Sequence, residues 1–178
     1  MANIEILPLA VQDLPYLERI DHSYHTDFVW QMEINSDEKE ISIRFKEVKL
    51  PRSMRVSYPH DVDDFSERLQ RYDLTLVAHS DGEPVGYATV LTENSKILGM
   101  VSDIVVLRRL RRQGIGSSLI LAVQTWLSQK GYAQIQLEMQ SKNYPAINMA
   151  NKLGFEFCGF SDRYYPNQDI AIFFGRRV

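Results

Sequence analysis

Four arginines and two glycines crowd into one short stretch: Arg108, Arg109, Arg111, Arg112, Gly114 and Gly116. The run before them, Ile104 to Leu107, is apolar and strand-like, and after them Ile115, Leu119, Val123 and Trp126 recur at helical spacing. A strand, a cationic glycine loop and a helix N-terminus in that order form an anion cradle. The first amides of a helix lack intrahelical partners, and the helix dipole adds partial positive charge there. Glycine at 114 and 116 lets a ligand approach backbone that a Cβ would hold away. A pyrophosphate would satisfy those amides, and Arg111 or Arg112 would add charge-assisted bonds. Taken alone, the same residues also describe a tight strand-to-helix turn with solvated arginines. The loop is not a P-loop, since no G-x-x-x-x-G-K-[ST] occurs, and Leu119 stands where a dinucleotide fingerprint needs its third glycine.

Other chemistry-bearing residues read more plainly. His22, His25, His60 and His79 complete no metal-ligand spacing with a cysteine or carboxylate, so they read as surface or capping histidines and no metal is expected. Cys158 is the only cysteine, which excludes an intramolecular disulfide, and its aromatic neighbours suggest a packed thiol. The acidic cluster Asp61, Asp63 and Asp64 reads as a solvated loop that could also attract a cationic amine. No aromatic residues interleave the arginine run, which argues against a nucleic-acid surface.

The elements that must position these residues follow from hydrophobic period and turn chemistry. Ile4 to Leu7 predicts a first strand, and Asp13 caps a helix with Pro15 in its first turn. Period-two alternation predicts a hairpin over Phe28 to Leu50, with N-S-D-E-K-E as its link, and an irregular segment from Pro51 to His60. Phe65 and Leu69 mark a short helix. Leu74 to Ala78, Val85 to Leu91 and a run ending at Leu107 are strands joined by turns at Asp81-Gly82 and Asn94-Ser95. Beyond the loop come a helix closed by Gly131, a strand over Ile135 to Gln140 and a helix from Pro145 stopped by Gly154. Phe155 to Tyr165 and Ile170 to Gly175 predict a last pair of strands around P-N-Q-D. This order gives one α/β domain with a mixed, mostly antiparallel sheet and helices on both faces.

At 178 residues and 44% hydrophobic content the chain has the composition of one soluble domain. A net charge of −3 does not favour nucleic acid or a membrane as partner. The start M-A-N-I-E-I-L-P has no apolar signal core and no run is long enough to span a bilayer, so a cytoplasmic location is expected.

The hexapeptide Arg111-Arg112-Gln113-Gly114-Ile115-Gly116 resembles the [QR]-x-x-G-x-[GA] signature of the GNAT acyltransferases. The preceding D-I-V-V resembles that family's fourth strand. Downstream, L-E-M-Q-S-K-N-Y-P-A-I-N-M-A-N-K-L-G-F resembles its fifth strand and fourth helix, with Asn143, Ala146, Lys152, Gly154 and Phe155 at matching places. The segment G-F-S-D-R-Y-Y-P-N-Q-D-I-A-I-F-F resembles the C-terminal hairpin of streptothricin-acetyltransferase-like members.

The resemblance implies a GNAT-type domain over residues 1–178, its sheet splayed between strands four and five, with acetyl-CoA as acyl donor. It places the pantetheine arm along Ile104, Val105 and Val106, with an amide near Val106 polarising the thioester carbonyl. The pyrophosphate maps to Arg111, Arg112, Gln113, Gly114, Ile115, Gly116 and Ser117, and Asn143 stands beside the arm. Glu138 and Asp103 match acidic positions proposed as bases in other members, although either carboxylate could be an exposed strand-face charge. Ala150 stands where many members have the tyrosine that protonates the leaving thiolate; Tyr144, Tyr164 and Tyr165 are the alternative donors, with Tyr165 favoured.

The expected activity is N-acetylation of a small cationic amine, a streptothricin-like antibiotic among the candidates, by direct attack in a ternary complex. A protein N-terminus or lysine as acceptor, and a non-catalytic acyl-CoA-binding domain, are the competing readings. The hairpin over 28–50 would shape the acceptor cleft or a homodimer contact.

Overall fold

The computed structural model describes residues 4–60 and 65–178, so the acidic cluster at Asp61, Asp63 and Asp64 lies outside the described residues. In chain order the strands are β1 (Ile4–Pro8), β2 (Tyr24–Ser36), β3 (Ile41–Val56), β4 (Leu74–Ser80), β5 (Glu83–Thr92), β6 (Leu98–Val106), β7 (Gln134–Gln140), β8 (Glu156–Ser161) and β9 (Ala171–Arg177). The helices are α1 (Leu14–Leu17), α2 (Phe65–Leu69), α3 (Ile115–Lys130) and α4 (Tyr144–Lys152). No helix among the described residues is long and apolar enough to cross a membrane.

Seven strands form one sheet in the order β1-β4-β5-β6-β7-β9-β8, antiparallel except for β6 beside β7. Its central strands are buried on both faces because helices cover both. On one face Leu119, Ile120, Val123 and Leu127 of α3 pack with Ile135, Leu137, Ile147 and Phe174. On the other, Leu17, Ile20, Phe65 and Leu69 pack against Val77, Tyr87 and Val105. Alternation sends neighbouring residues such as Val105 and Val106 into opposite layers.

The parallel pair is short. β6 and β7 pair only from Leu98 with Gln134 to Val101 with Leu137, although β6 runs on to Val106 and β7 to Gln140. The two strands therefore part at Ser102 and Glu138, as the splayed sheet requires, and leave a fork in the middle of the sheet.

The predicted hairpin exists but is longer and forms its own two-stranded sheet, from Tyr24 to Val56. The segment expected to be irregular after Pro51 is strand up to Val56. The pairing jumps between Thr26 with Met54 and Phe28 with Lys49, and Pro51 falls in that irregularity, where its missing N–H breaks no ladder bond. Aromatic contacts seat the hairpin: Phe28 on Tyr144 at 4.7 Å, Phe45 on Phe160 at 5.4 Å and Trp30 on Phe174 at 6.0 Å between ring centroids. Trp30 N also donates to Ser141 O at 2.9 Å, which ties β2 to the end of β7.

Two further expectations are corrected. β8 stops at Ser161 rather than running to Tyr165, because Arg163 takes a left-handed φ of 51° and the amides of Tyr164 and Tyr165 both turn onto Asp169 O. Cys158 is exposed rather than packed; β8 is an edge strand and its first three residues are all exposed.

Candidate active site

The fork opens into a cavity of about 400 Å³ between the free edges of β6 and β7 and the N-termini of α3 and α4. Register fixes which backbone groups face it. Leu107 N donates to Val85 O at 2.7 Å, so these two residues form a hydrogen-bonded antiparallel pair. One residue earlier the N–H and C=O of Val106 must point away from β5, and those of Ile104 do the same. Val105 instead turns its backbone toward β5 and its side chain into the core layer under α2.

At the α3 end, Arg112 and Gly114 both have left-handed backbone, with φ of 66° and 90°. Such a conformation is strained for side chains, which is what glycine at 114 relieves. A Cβ built on Gly114 would meet nothing within 4 Å, so this backbone faces open space. The first backbone bond of the helix is Ser118 N to Gly114 O at 2.9 Å, and the amides of Ile115, Gly116 and Ser117 precede it. Gly116 serves packing instead: a Cβ there would lie 3.1 Å from Met149 Sδ, where α3 meets α4.

The arginines divide by task. Arg111 spends its guanidinium on three carbonyls, donating to Val106 O, Ser23 O and Asp21 O at 2.7, 2.7 and 2.5 Å. It clamps the loop to the segment before β2. Arg112 is exposed at the cavity rim. Asn143 caps α4, accepting from Ala146 N at 3.2 Å, and also lines the cavity. Gln113 is exposed, donates to Arg109 O, and does not line the cavity.

At the other end two carboxylates meet. Asp103, 1% exposed, accepts from Arg68 Nη1 through both oxygens at 3.1 and 3.0 Å and from Thr89 Oγ1 at 2.7 Å. Arg68 reaches it from α2 and also donates to Tyr87 Oη at 3.3 Å. Burial first, then the charge of Glu138, pushes the Asp103 carboxyl upward, and the guanidinium is its counter-charge. Glu138 accepts from Tyr164 Oη at 3.0 Å through Oε2, whereas its Oε1 is buried with no hydrogen-bond partner among the described residues. Burial raises the Glu138 carboxyl above its ordinary value, against the hydroxyls of Tyr164 and Tyr165, which lower it.

Tyr165 is 3% exposed, lines the cavity and packs its ring edge against His60 at 5.6 Å. Its hydroxyl is pushed well above the usual phenol range, by burial and then by Glu138. Tyr144 stacks on Phe28 instead, and Ala150 is fully buried in the core. Sequence reasoning missed three residues here. His60, read as a surface or capping histidine, lines the cavity with Nε2 3.9 Å from Asp103 Oδ1 and 3.9 Å from Glu138 Oε1. Arg68 carries the counter-charge, and Tyr24 donates to Gln140 Oε1 at 2.8 Å at the cavity wall. None has a local pattern that marks it; each is brought in by tertiary packing.

The sequence model of the acetyltransferase (GNAT) family matches residues 27–155. An N-alpha-acetyltransferase of Sulfurisphaera tokodaii is 34% identical over 72% of this chain and 81% of its own length. A streptothricin acetyltransferase of Streptomyces lavendulae is 27% identical over 86% of this chain and 82% of its own. Among solved structures, one provisionally named streptothricin acetyltransferase, from Bacillus anthracis str. Ames in complex with acetyl coenzyme A, superposes with a TM-score of 0.75 at 21% identity, covering 99% of this chain and 100% of that one.

Proposed function

The chain belongs to the GNAT acetyltransferase family, and we propose that it transfers an acetyl group from acetyl-CoA to a primary amine of a small cationic molecule. A streptothricin-like antibiotic is one such acceptor, in keeping with the Streptomyces relative and the Bacillus structure. The observation that carries the reading is Glu138 Oε1, a buried, unpartnered carboxylate oxygen in the cavity beside Asp103. With both carboxyls ionised, the described groups there are two carboxylates against one guanidinium, which leaves room for one more positive charge.

The residues fit the donor. Gly114 presents open backbone where a side chain would intrude, and the amides of Ile115 to Ser117 with Arg112 would hold the pyrophosphate. Backbone groups of Ile104 and Val106 on the free edge of β6 would hold the pantetheine arm, beside Asn143. Acetyl-CoA supplies a thioester, so an alkylammonium and the thioester become an amide, free thiol and one proton.

The protein's part is proton handling and polarisation. An ammonium has no lone pair for attack, so Glu138 Oε1 takes one of its protons. A carboxyl raised toward working pH is a stronger base than an ordinary one, and the Tyr164 bond fixes its orientation. The Val106 N–H, held in place by the Leu107–Val85 pair and by Arg111 on Val106 O, polarises the acyl oxygen. Tyr165, whose hydroxyl keeps its proton at neutral pH, donates to the departing sulfur in place of the tyrosine absent at Ala150.

A second reading, a protein N-terminus as acceptor, is favoured by the 34% identity to an N-alpha-acetyltransferase. Thiol release from acetyl-CoA should be measured with diamines, aminoglycosides, streptothricin and N-terminal peptides. Turnover of small cationic amines supports the first reading. Turnover restricted to peptides selects the second, and coenzyme A binding with no turnover of any acceptor overturns both.

A further inference from the structure

We propose that His60 joins Asp103 and Glu138 in a three-acceptor cradle that selects a primary ammonium over more substituted amines. The proposal rests on the reading that the acceptor is an amine, and it adds a residue and a substrate preference to that site.

The three acceptor atoms converge from different parts of the fold. Glu138 comes from β7, Asp103 from β6, and His60 from the segment after β3, and all three line the same cavity. His60 Nε2 lies 3.9 Å from Glu138 Oε1 and 3.9 Å from Asp103 Oδ1. These separations are too long for hydrogen bonds between the groups, but one nitrogen between them could reach each at about 2.9 Å. Among the described residues Glu138 Oε1 has no hydrogen-bond partner, and Asp103 Oδ1 accepts from Arg68 Nη1 alone, leaving one lone pair. An ammonium with three N–H groups fits three such acceptors; a secondary ammonium leaves one unpaired and a tertiary leaves two.

Charge points the same way. Among the described residues, the groups facing His60 are Asp103, Glu138, Arg68 behind Asp103, and the rings of Tyr58 and Tyr165 at 5.4 and 5.6 Å. With both carboxyls ionised and His60 neutral, these described groups sum to one negative charge, which one bound cation cancels. Burial, and then Arg68, lowers the His60 pKa to about 4, so at neutral pH the imidazole offers a lone pair and not a competing cation. The two tyrosine rings hold the imidazole edge-on, so the acceptor atom is in place before the amine arrives. When Glu138 Oε1 takes one proton from the ammonium, the amine stays bonded to His60 and Asp103 through its other two.

The test compares wild type, His60→Asn and His60→Phe at saturating acetyl-CoA, using 1,4-diaminobutane, lysine amide and a short N-terminal peptide, each against its N-methylated counterpart. In wild type the primary member of each accepted pair is preferred about tenfold or more, because a buried acceptor left unpaired is costly. In His60→Phe the KM for the primary amine rises about tenfold, kcat falls less than threefold, and the preference over the methylated amine shrinks. His60→Asn, whose amide oxygen still accepts, lies between. Acetyl-CoA affinity stays at the wild-type value in both variants. An unchanged KM and preference in His60→Phe, or a loss of kcat alone, overturns the cradle. Should wild type bind acetyl-CoA yet acetylate none of these amines, the transferase reading fails and calorimetric binding of 1,4-diaminobutane decides the cradle. Binding weakened by His60→Phe then supports it, and binding that is equal in both proteins or absent from both overturns it.

Discussion

Tyr164 donates a hydrogen bond of 3.0 Å to Glu138 Oε2, while the other oxygen of that carboxylate is buried with no partner among the described residues. Burial without compensation is costly, and a site that sustains it gains a base of raised pKa aimed at the cavity. Asp103, one strand away, is spent differently: Arg68 and Thr89 already occupy its oxygens. In the proposed mechanism Glu138 is therefore the base, and Asp103 holds the acceptor's charge.

Glu138→Gln should lower kcat by about 100-fold or more, the usual worth of a positioned base. In wild type the acid limb of kcat/KM should lie above the ordinary carboxylate range, because burial raises Glu138 against the hydroxyls of Tyr164 and Tyr165; Asp103 and His60 also face it. A pH–rate profile checks both points; the limb should be lost in the variant.

The same substitution should stabilise the resting protein at neutral pH. A carboxyl raised on folding contributes most below its unfolded value near 4.5, and that contribution is lost as pH rises through the raised folded value. Glutamine carries no such loss. Every tenfold gain in proton affinity on folding corresponds to about 1.4 kcal/mol, or roughly 3–5 °C in Tm for a chain of this size. Thermal melts of both proteins should therefore diverge at pH 7 and converge as pH falls below 4.5.

Tyr165→Phe should reduce kcat about tenfold while acetyl-CoA affinity, measured by calorimetry, stays unchanged; a positioned acid typically contributes about 10²–10⁴-fold, and a leaving thiol of pKa ~8.5 needs less help than most. A wild-type kcat would return Tyr165 to packing against His60.

Gly114→Asp should weaken acetyl-CoA binding by tenfold or more, through like charge at the pyrophosphate and a φ of 90° that a side chain resists. The built Cβ meets nothing within 4 Å, so the fold itself should lose only about 1–2 kcal/mol from backbone strain. Calorimetry and denaturant unfolding separate the two effects.

The elements on the β6, α3 and α4 side of the fork were legible in the sequence because their signals are local. The apolar run to Leu107, the glycine at the head of α3, the Pro145 start of α4 and the Gly131 and Gly154 stops each depend on near neighbours. The acceptor side was not. Arg68 meets Asp103 across 35 positions, and Tyr24 meets Gln140 across 116. His60 lies in a segment with no period at all. The hairpin was seen but cut short, because Pro51 reads as a strand breaker and only the structure places it in a pairing irregularity. Tyr165 was found for its likeness to other tyrosines, yet the turn at Arg163 that brings it to the cavity breaks the strand pattern that was read there.

The most direct test is an initial-velocity study with acetyl-CoA and an accepted amine varied together, followed by intact-mass measurement of the protein after acetyl-CoA alone. Direct transfer in the fork predicts intersecting lines, one N-acetyl product per thiol released, and a chain of unchanged mass. Parallel lines with an acetylated chain would contradict it, because Glu138 would then be activating a protein nucleophile and not the amine.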